Sequence, residues 1–190
     1  TPKTFLDALS KLEVKIDILV LVYLNGNSVE IDEIHEIASK NKIKIIADGC
    51  HALGTLYKDK LIGGGNKVLA TTFSFHPVKA ITTGEGGAIV TDIKTLADKV
   101  RLQRSHGINR DPANFKNLTE AYDINGDLNP WYYEIDNIGY NFRLTDFQCA
   151  LGISQIKKLD SFINKRRSLA NYYLKNLEPF SSLVTPVGNS

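Results

Sequence analysis

With 190 residues, 43% of them apolar and 23% charged, the chain has enough material for a full hydrophobic core. A formal net charge of +2, with Lys165-Arg166-Arg167 as the only short basic run, argues against nucleic acid as the main partner. No stretch has the length of a membrane span or the pattern of a signal peptide. The two cysteines, Cys50 and Cys149, have neither framework nor metal spacing, which suggests a reducing cytoplasm. Methionine is absent even at position 1, as expected either after initiator removal or in an internal stretch of a longer protein.

Ile16–Leu24 is a nearly continuous apolar run and predicts a strand buried on both faces. Asn25-Gly26-Asn27 ends it, and Asn27 with Glu30 predicts a capping box for a helix carrying Ile31, Ile34, Ile37 and Ala38 on one side. A second apolar run, Ile43–Ala47, stops at Asp48, so strand, helix and strand form a βαβ unit with parallel strands. Val68–Phe75 predicts a third strand. Only 11 residues, His76 to Gly86, separate it from Gly87–Thr91, which is too few for a crossover helix and predicts an antiparallel last pair. Asp92 is the expected cap of a helix with Leu96, Ala97 and Val100 on its buried side. His106–Asn141 shows no sustained period, but its aromatics (Trp131, Tyr132, Tyr133, Tyr140) favour an ordered surface. Leu144 to about Leu177 predicts one or two long helices, and Thr185-Pro186-Val187-Gly188 resembles the start of an uncompleted element.

The densest chemistry lies in Ser74-Phe75-His76-Pro77-Val78-Lys79, followed by Thr82-Thr83-Gly84-Glu85-Gly86-Gly87. A lysine here sits in a turn shaped by proline and glycine between two strands. Most lysines in turns are solvated surface groups. A lysine that must hold a carbonyl as an imine needs such placement, because its amine has to be aimed and kept partly neutral. Asp48 ends one parallel strand and Lys79 follows another, so both are expected at the carboxyl edge of the sheet, where α/β proteins place ligands. An acid and a lysine could form a plain ion pair there; His51, three residues beyond the acid, and Ser74 argue for more.

Three segments in this order, Asp48–Gly54, Ser74–Lys79 with Gly84–Gly87, and Gly139–Gly152, resemble the D-x-x-H/Q-x-x-G, S-F-x-x-x-K…G-E-G-G and G-Y-N-x-R-x-T-D-x-Q-x-A-L-G segments of the DegT/DnrJ/EryC1/StrS family of pyridoxal-phosphate sugar aminotransferases. The resemblance covers essentially the whole chain. It implies an α/β fold: the large domain of the aspartate-aminotransferase-like fold type I, a mostly parallel sheet with one reversed strand, truncated at both ends. It assigns residues 1–160 to a partial cofactor-binding large domain and residues 161–190 to a linker helix and the start of a small domain.

Position by position, the resemblance implies that Lys79 carries pyridoxal 5'-phosphate as an imine and shuttles a proton. Asp48 holds the pyridine nitrogen protonated, His51 lies at the ring, and Ser74 binds the phosphate. Asn141 reaches the phosphate of a neighbouring subunit, while Arg143 and His76 approach the substrate. The implied activity is transamination of a nucleotide-linked 4-keto-6-deoxy sugar, with glutamate as the expected amino donor. The implied context is cell-surface amino-sugar biosynthesis by a cytoplasmic homodimer with shared sites, without membrane, nucleic acid or metal. Arg104–Ile108, Trp131–Glu134 and Gly139–Arg143 narrow the resemblance to the branch that aminates C4 of a UDP-linked sugar for pseudaminic acid. Family members are longer and begin with a phosphate-binding Gly-Ser/Thr segment that this chain lacks, so it resembles a fragment.

Other features are weaker. Ile62–Lys67 is glycine-rich without phosphate-loop spacing and reads as a turn; the four histidines are dispersed; Asn117-Leu118-Thr119 is a sequon without consequence in a cytoplasmic protein. The alternatives are a sugar dehydratase of the same family, against which Lys79 speaks because those enzymes carry histidine there, and a non-catalytic remnant.

Overall fold

The computed structural model describes residues 1–65, 67–135 and 137–184; the Thr185–Gly188 segment and Asn66 lie outside the described residues. The chain divides into two compact units, Thr1–Asp92 with Thr145–Ser190, and Ile93–Leu144.

The first unit opens with helix α1 (Pro2–Lys11), an element not among those expected from the sequence. Thr1 caps it by accepting from the Thr4 N–H, and Pro2 occupies the first turn, where a missing N–H costs nothing. Strand β1 (Ile18–Val22), helix α2 (Ile31–Lys40) and strand β2 (Lys44–Asp48) then form the expected parallel unit, with Val20 opposite Ile46 and Val22 opposite Asp48. A short hairpin of β3 (Leu56–Tyr57) and β4 (Lys60–Leu61) leads to β5 (Ala70–Ser74), parallel to β2, and to β6 (Gly87–Val90), antiparallel to β5. Sheet order β1-β2-β5-β6 is thus the mostly parallel sheet with one reversed strand. Helices α5 (Asp146–Ile156) and α6 (Leu159–Leu177) complete the unit.

Register assigns the two faces. Leu19, Leu21, Ile45, Ala47, Thr71 and Phe73 alternate onto one face, where Ile31, Ile34 and Ala38 of α2 and Phe5 and Leu9 of α1 build the core around Ile43 and Ile45. Ile18, Val20, Val22, Ile46, Asp48, Thr72 and Ser74 alternate onto the other. On β1 that second face is half exposed, with Val20 at 59%, so the expected burial of both faces does not hold. The apolar run records residue type; covering its outer face needs a packing partner, which the described residues of this unit do not supply.

Two caps also differ from expectation. Glu30, with no side-chain bond, stands at the start of α2, so Asn27 and Glu30 form no capping box. Asn27 instead belongs to the turn after β1, its N–H donating to the Leu24 carbonyl. Asp92 does not cap α3 (Lys94–Arg104): Ile93 stands at that position, and the Asp92 carboxylate accepts from the Gly65 N–H at 2.7 Å.

In the second unit, α3 is followed by β7 (Ile108–Asn109), α4 (Leu118–Ala121) and β8 (Glu134–Ile135), with β7 and β8 antiparallel. The aperiodic stretch is ordered around Glu134, whose carboxylate accepts from the Lys116 and Asn117 N–H groups and from the Tyr132 hydroxyl. Phe115 meets the Tyr132 ring edge-on at 4.9 Å. Back in the first unit, the long apolar stretch resolves into α5 (Asp146–Ile156) and α6 (Leu159–Leu177). Thr145 and Gln148 form the capping box that starts α5. No described helix is long and apolar enough to cross a membrane.

Candidate active site

The carboxyl edge of the sheet gathers the expected residues of the first unit. Asp48 is the last residue of β2 and Ser74 the last of β5; Thr72, paired with Asp48, lies between them on the same face. The chain turns sharply after Asp48, because the Asp48 carboxylate accepts from the Cys50 N–H at 3.0 Å. The Cys50 side chain and backbone N–H, in that order, hold the Asp48 carboxyl below the usual carboxylate range, against a smaller opposing effect of burial, and the Lys79 charge also lowers it. Asp48 is therefore an anion at neutral pH. Burial and the neighbouring Asp48 push the Cys50 thiol up, while a hydrogen bond with Thr72 and the Lys79 charge oppose this. Lys79 thus acts electrostatically on both groups.

His51 is placed by the turn after β1. The Asn25 N–H donates to His51 Nδ1 at 3.2 Å, which assigns the ring proton to Nε2 and leaves that nitrogen as a donor. Asn25 and Gly26 both have positive φ, 57° and 77°. A Cβ on Gly26 would stand 2.7 Å from the His51 carbonyl oxygen, so glycine is what lets this turn approach the histidine.

Ser74 accepts from the His76 N–H at 3.3 Å, leaving its own hydroxyl proton to donate. Here β5 and β6 lie close, and a Cβ on Gly87 would meet the Phe73 carbonyl at 2.6 Å. The lysine turn continues with the Lys79 N–H donating to the His76 carbonyl at 3.0 Å and the Val78 N–H to His76 Nδ1 at 3.4 Å. His76 Nε2 stands 3.9 Å from a Glu85 carboxylate oxygen, so this histidine shapes the turn. The loop closes with Thr83, buried, donating its N–H to Phe75 and its hydroxyl to the Glu85 carbonyl. Lys79 itself is half-buried, and among the described residues its ammonium makes no hydrogen bond or ion pair.

Asn141 and Arg143 belong to the second unit, both exposed. Their strand-like segment lies along the end of α3: Asn141 bridges Ser105, the Phe142 N–H donates to Arg104, and the Tyr140 N–H donates to Gln103. The rings of Tyr140 and Phe142 stack at 5.0 Å. Arg143 lines a cavity of about 1080 Å³ together with Arg101, Arg110, Lys116, His106 and Asp111. Of the seven expected site residues, Asp48, His51, Ser74, His76 and Lys79 share one unit, and Asn141 and Arg143 lie in the other. Thr72 and Cys50 were missed. Thr72 was readable from period 2, standing two residues before Ser74 in the same strand; Cys50 had no signal beyond its place two residues after the acid.

The residues of the first unit fit pyridoxal phosphate. An anionic carboxylate, a hydroxyl with its proton left to donate, an imidazole N–H and a lysine amine without a partner among the described residues suit a pyridinium, a phosphate, a ring oxygen and an aldehyde respectively.

Asp48 and Ser74 at the carboxyl ends of adjacent parallel strands, with Lys79 in the turn that follows, suit a pyridoxal-phosphate site, and sequence comparison points the same way. The chain matches the DegT/DnrJ/EryC1/StrS aminotransferase family over residues 6–189 and belongs to it. Pyridoxal 5'-phosphate is the cofactor of that family's aminotransferases. The chain is 44% identical over 171 residues to the UDP-4-amino-4,6-dideoxy-N-acetyl-beta-L-altrosamine transaminase of Campylobacter jejuni serotype O:2, covering 89% of this chain and 40% of the relative. The solved structure of Helicobacter pylori PseC, an aminotransferase of pseudaminic acid biosynthesis, superposes with a TM-score of 0.76 at 34% identity, covering 90% of this chain and 41% of that one. GDP-4-keto-6-deoxymannose-3-dehydratase, ColD, is also similar, with a TM-score of 0.73 at 28% identity over 94% of this chain and 44% of that one. The chain therefore spans about two-fifths of the length of the relatives it matches.

Proposed function

We propose that the protein containing this chain transfers an amino group, from an amino acid such as glutamate, to a nucleotide-linked 4-keto-6-deoxy sugar, with Lys79 as the attachment point of pyridoxal phosphate. The observation that carries the proposal is the placing of Asp48 and Ser74 at the carboxyl ends of adjacent parallel strands, with Lys79, whose amine has no partner among the described residues, in the turn that follows Ser74. When bound, the cofactor supplies an aldehyde that carries the amino group and a ring that takes up electron density. Asp48, kept anionic by Cys50, holds a proton on the ring nitrogen. The Ser74 hydroxyl donates to a phosphate oxygen, and the His51 Nε2–H donates at the ring. The Lys79 amine, once free, takes the proton from the reacting carbon of one substrate and returns it to the other.

In the same reading Arg143 and His76 bind the sugar nucleotide, and the cations around the Arg143 cavity suit a diphosphate. Asn141 serves the cofactor phosphate of a second copy, making the active unit a cytoplasmic homodimer with shared sites. Residues 1–160 then belong to the large domain and 161–190 lead to a small one. The sugar is a UDP-linked N-acetylhexosamine on the pseudaminic acid route, supported by the likeness to the Campylobacter and Helicobacter transaminases. Lysine at position 79 disfavours the dehydratase reading that the likeness to ColD raises.

The test incubates the protein at its full natural length with UDP-linked 4-keto sugar and glutamate, and follows formation of the 4-amino sugar. The proposal expects amination that Lys79→Ala abolishes. It also expects partial recovery when Lys79→Ala and Arg143→Ala chains are mixed. Loss of oxygen at C3 of the sugar without amination would instead establish the dehydratase, and neither reaction would establish the remnant.

A further inference from the structure

The turn that carries Lys79 has no helical or sheet ladder through its middle, so its carbonyls must find partners elsewhere. Its ends are tied internally: the Phe75 N–H donates to Gly86 at 2.8 Å and the Thr83 N–H to Phe75 at 2.9 Å. Two carbonyls are instead held by side chains from the helical pair. Arg166 of α6 donates from its guanidinium to the Lys79 carbonyl at 2.8 Å, across 87 residues of sequence. Gln148 of α5 donates from Nε2 to the Glu85 carbonyl at 2.9 Å, while its Oε1 accepts from the Thr145 N–H. Between these two points α5 comes close to the loop. A Cβ on Gly152 would stand 3.0 Å from the Thr83 methyl, and Thr83 is buried. Phe162 and Leu169 of α6 line a cavity of about 260 Å³ with Ala80 and Ile81, the residues just after the lysine.

We propose that Arg166 is a positioning residue for Lys79: by fixing the lysine's own carbonyl it sets the peptide plane, and with it the direction in which the amine leaves the backbone. The inference rests on the proposed role of Lys79. Arginine suits the task, since its guanidinium never loses its charge in the working range and its planar fork loses little freedom on binding. A contact to a carbonyl, away from the amine, orients the lysine without competing for the amine's proton. Because the Arg166 side chain is exposed, its bond is modest in stability terms, and its effect is concentrated in geometry.

The experiment uses the protein at its full natural length as Arg166→Gln, Arg166→Lys and, as a neighbour on the same helix, Arg167→Gln. First, without cofactor, trace acetic anhydride is applied and the acylation rate of Lys79 relative to the other lysines is read by mass spectrometry. Arg166→Gln is expected to change that ratio by about threefold or more, and Arg166→Lys to restore part of it. Second, in the loaded protein, Arg166→Gln is expected to lower kcat about five- to tenfold with KM for the sugar nucleotide within about twofold. The thermal midpoint should stay within about 3 °C of the unaltered protein, and Arg167→Gln should change none of these. An unchanged Lys79 acylation ratio in Arg166→Gln overturns the inference. So do losses in activity that track the thermal midpoint, or no rescue by lysine. Failure of pyridoxal phosphate to attach at Lys79 in the unaltered protein would instead remove the functional reading on which the inference stands.

Discussion

The two faces of the sheet divide stability from chemistry. One face is closed by α2: Ile34, Ala38, Ile45 and Ala47 are fully or nearly fully buried, and none carries a reactive group. The other presents Ile18, Val20 and Val22 half exposed toward its β1 side and Asp48, Thr72 and Ser74 at its carboxyl edge. Both faces come from the same strands through alternation alone. Each strand therefore serves both purposes, and a one-residue slip of β2 would send Asp48 into the core and Ala47 to the edge. Substitutions on the two faces should therefore separate cleanly into losses of stability and losses of turnover.

The sharpest way to break that separation is Asp48→Asn. It should lower amination by about 10²–10³-fold, the usual cost of losing a placed charge that stabilises developing charge, and change unfolding free energy by about 1 kcal/mol or less. Near-normal turnover would remove Asp48 from the mechanism. On the closed face, Ile34→Ala should cost about 2–5 kcal/mol in urea unfolding, because the side chain is 2% exposed and its cavity cannot collapse against sheet and helix. In the same chain Val20→Thr should cost about 0.5 kcal/mol or less; equal losses from the two would mean that the β1 face is covered after all.

The smallest effect concerns acid. Lys58 and Lys67 hydrogen-bond Asp32 in the first turn of α2 and hold its carboxyl down from 3.8 to about 2. That tether is fully present above pH about 4 and is lost as pH falls toward about 2. Asp32→Asn should flatten the slope of unfolding free energy against pH in that window, and an unchanged slope would dismiss the tether.

Much of this was legible in the sequence where local pattern and global fold agree. The βαβ unit, the reversed β6 and the placing of Asp48 and Ser74 at strand ends follow from apolar runs, loop length and turn residues. What was not legible depends on contacts between distant residues. Arg166 lies 87 residues from the lysine it anchors, in a helix whose pattern reads only as apolar and basic. Asp92 looked like a cap because of its position before a helix, yet its carboxylate is claimed by Gly65. The exposed face of β1 misled for a related reason, since an apolar run gives the residue types but not what stands against them. The α1 helix does have a local signal, in Thr1-Pro2 and the spacing of Phe5 and Leu9.

Lys79, in the turn that follows Ser74, is the proposed attachment point of the cofactor. The direct measurement is borohydride reduction of the full-length protein with pyridoxal phosphate, followed by peptide mapping. A pyridoxyl group is expected on Lys79 and is lost in Lys79→Ala. A label on another lysine, or one spread over the surface lysines with Lys79 unmodified, would contradict it.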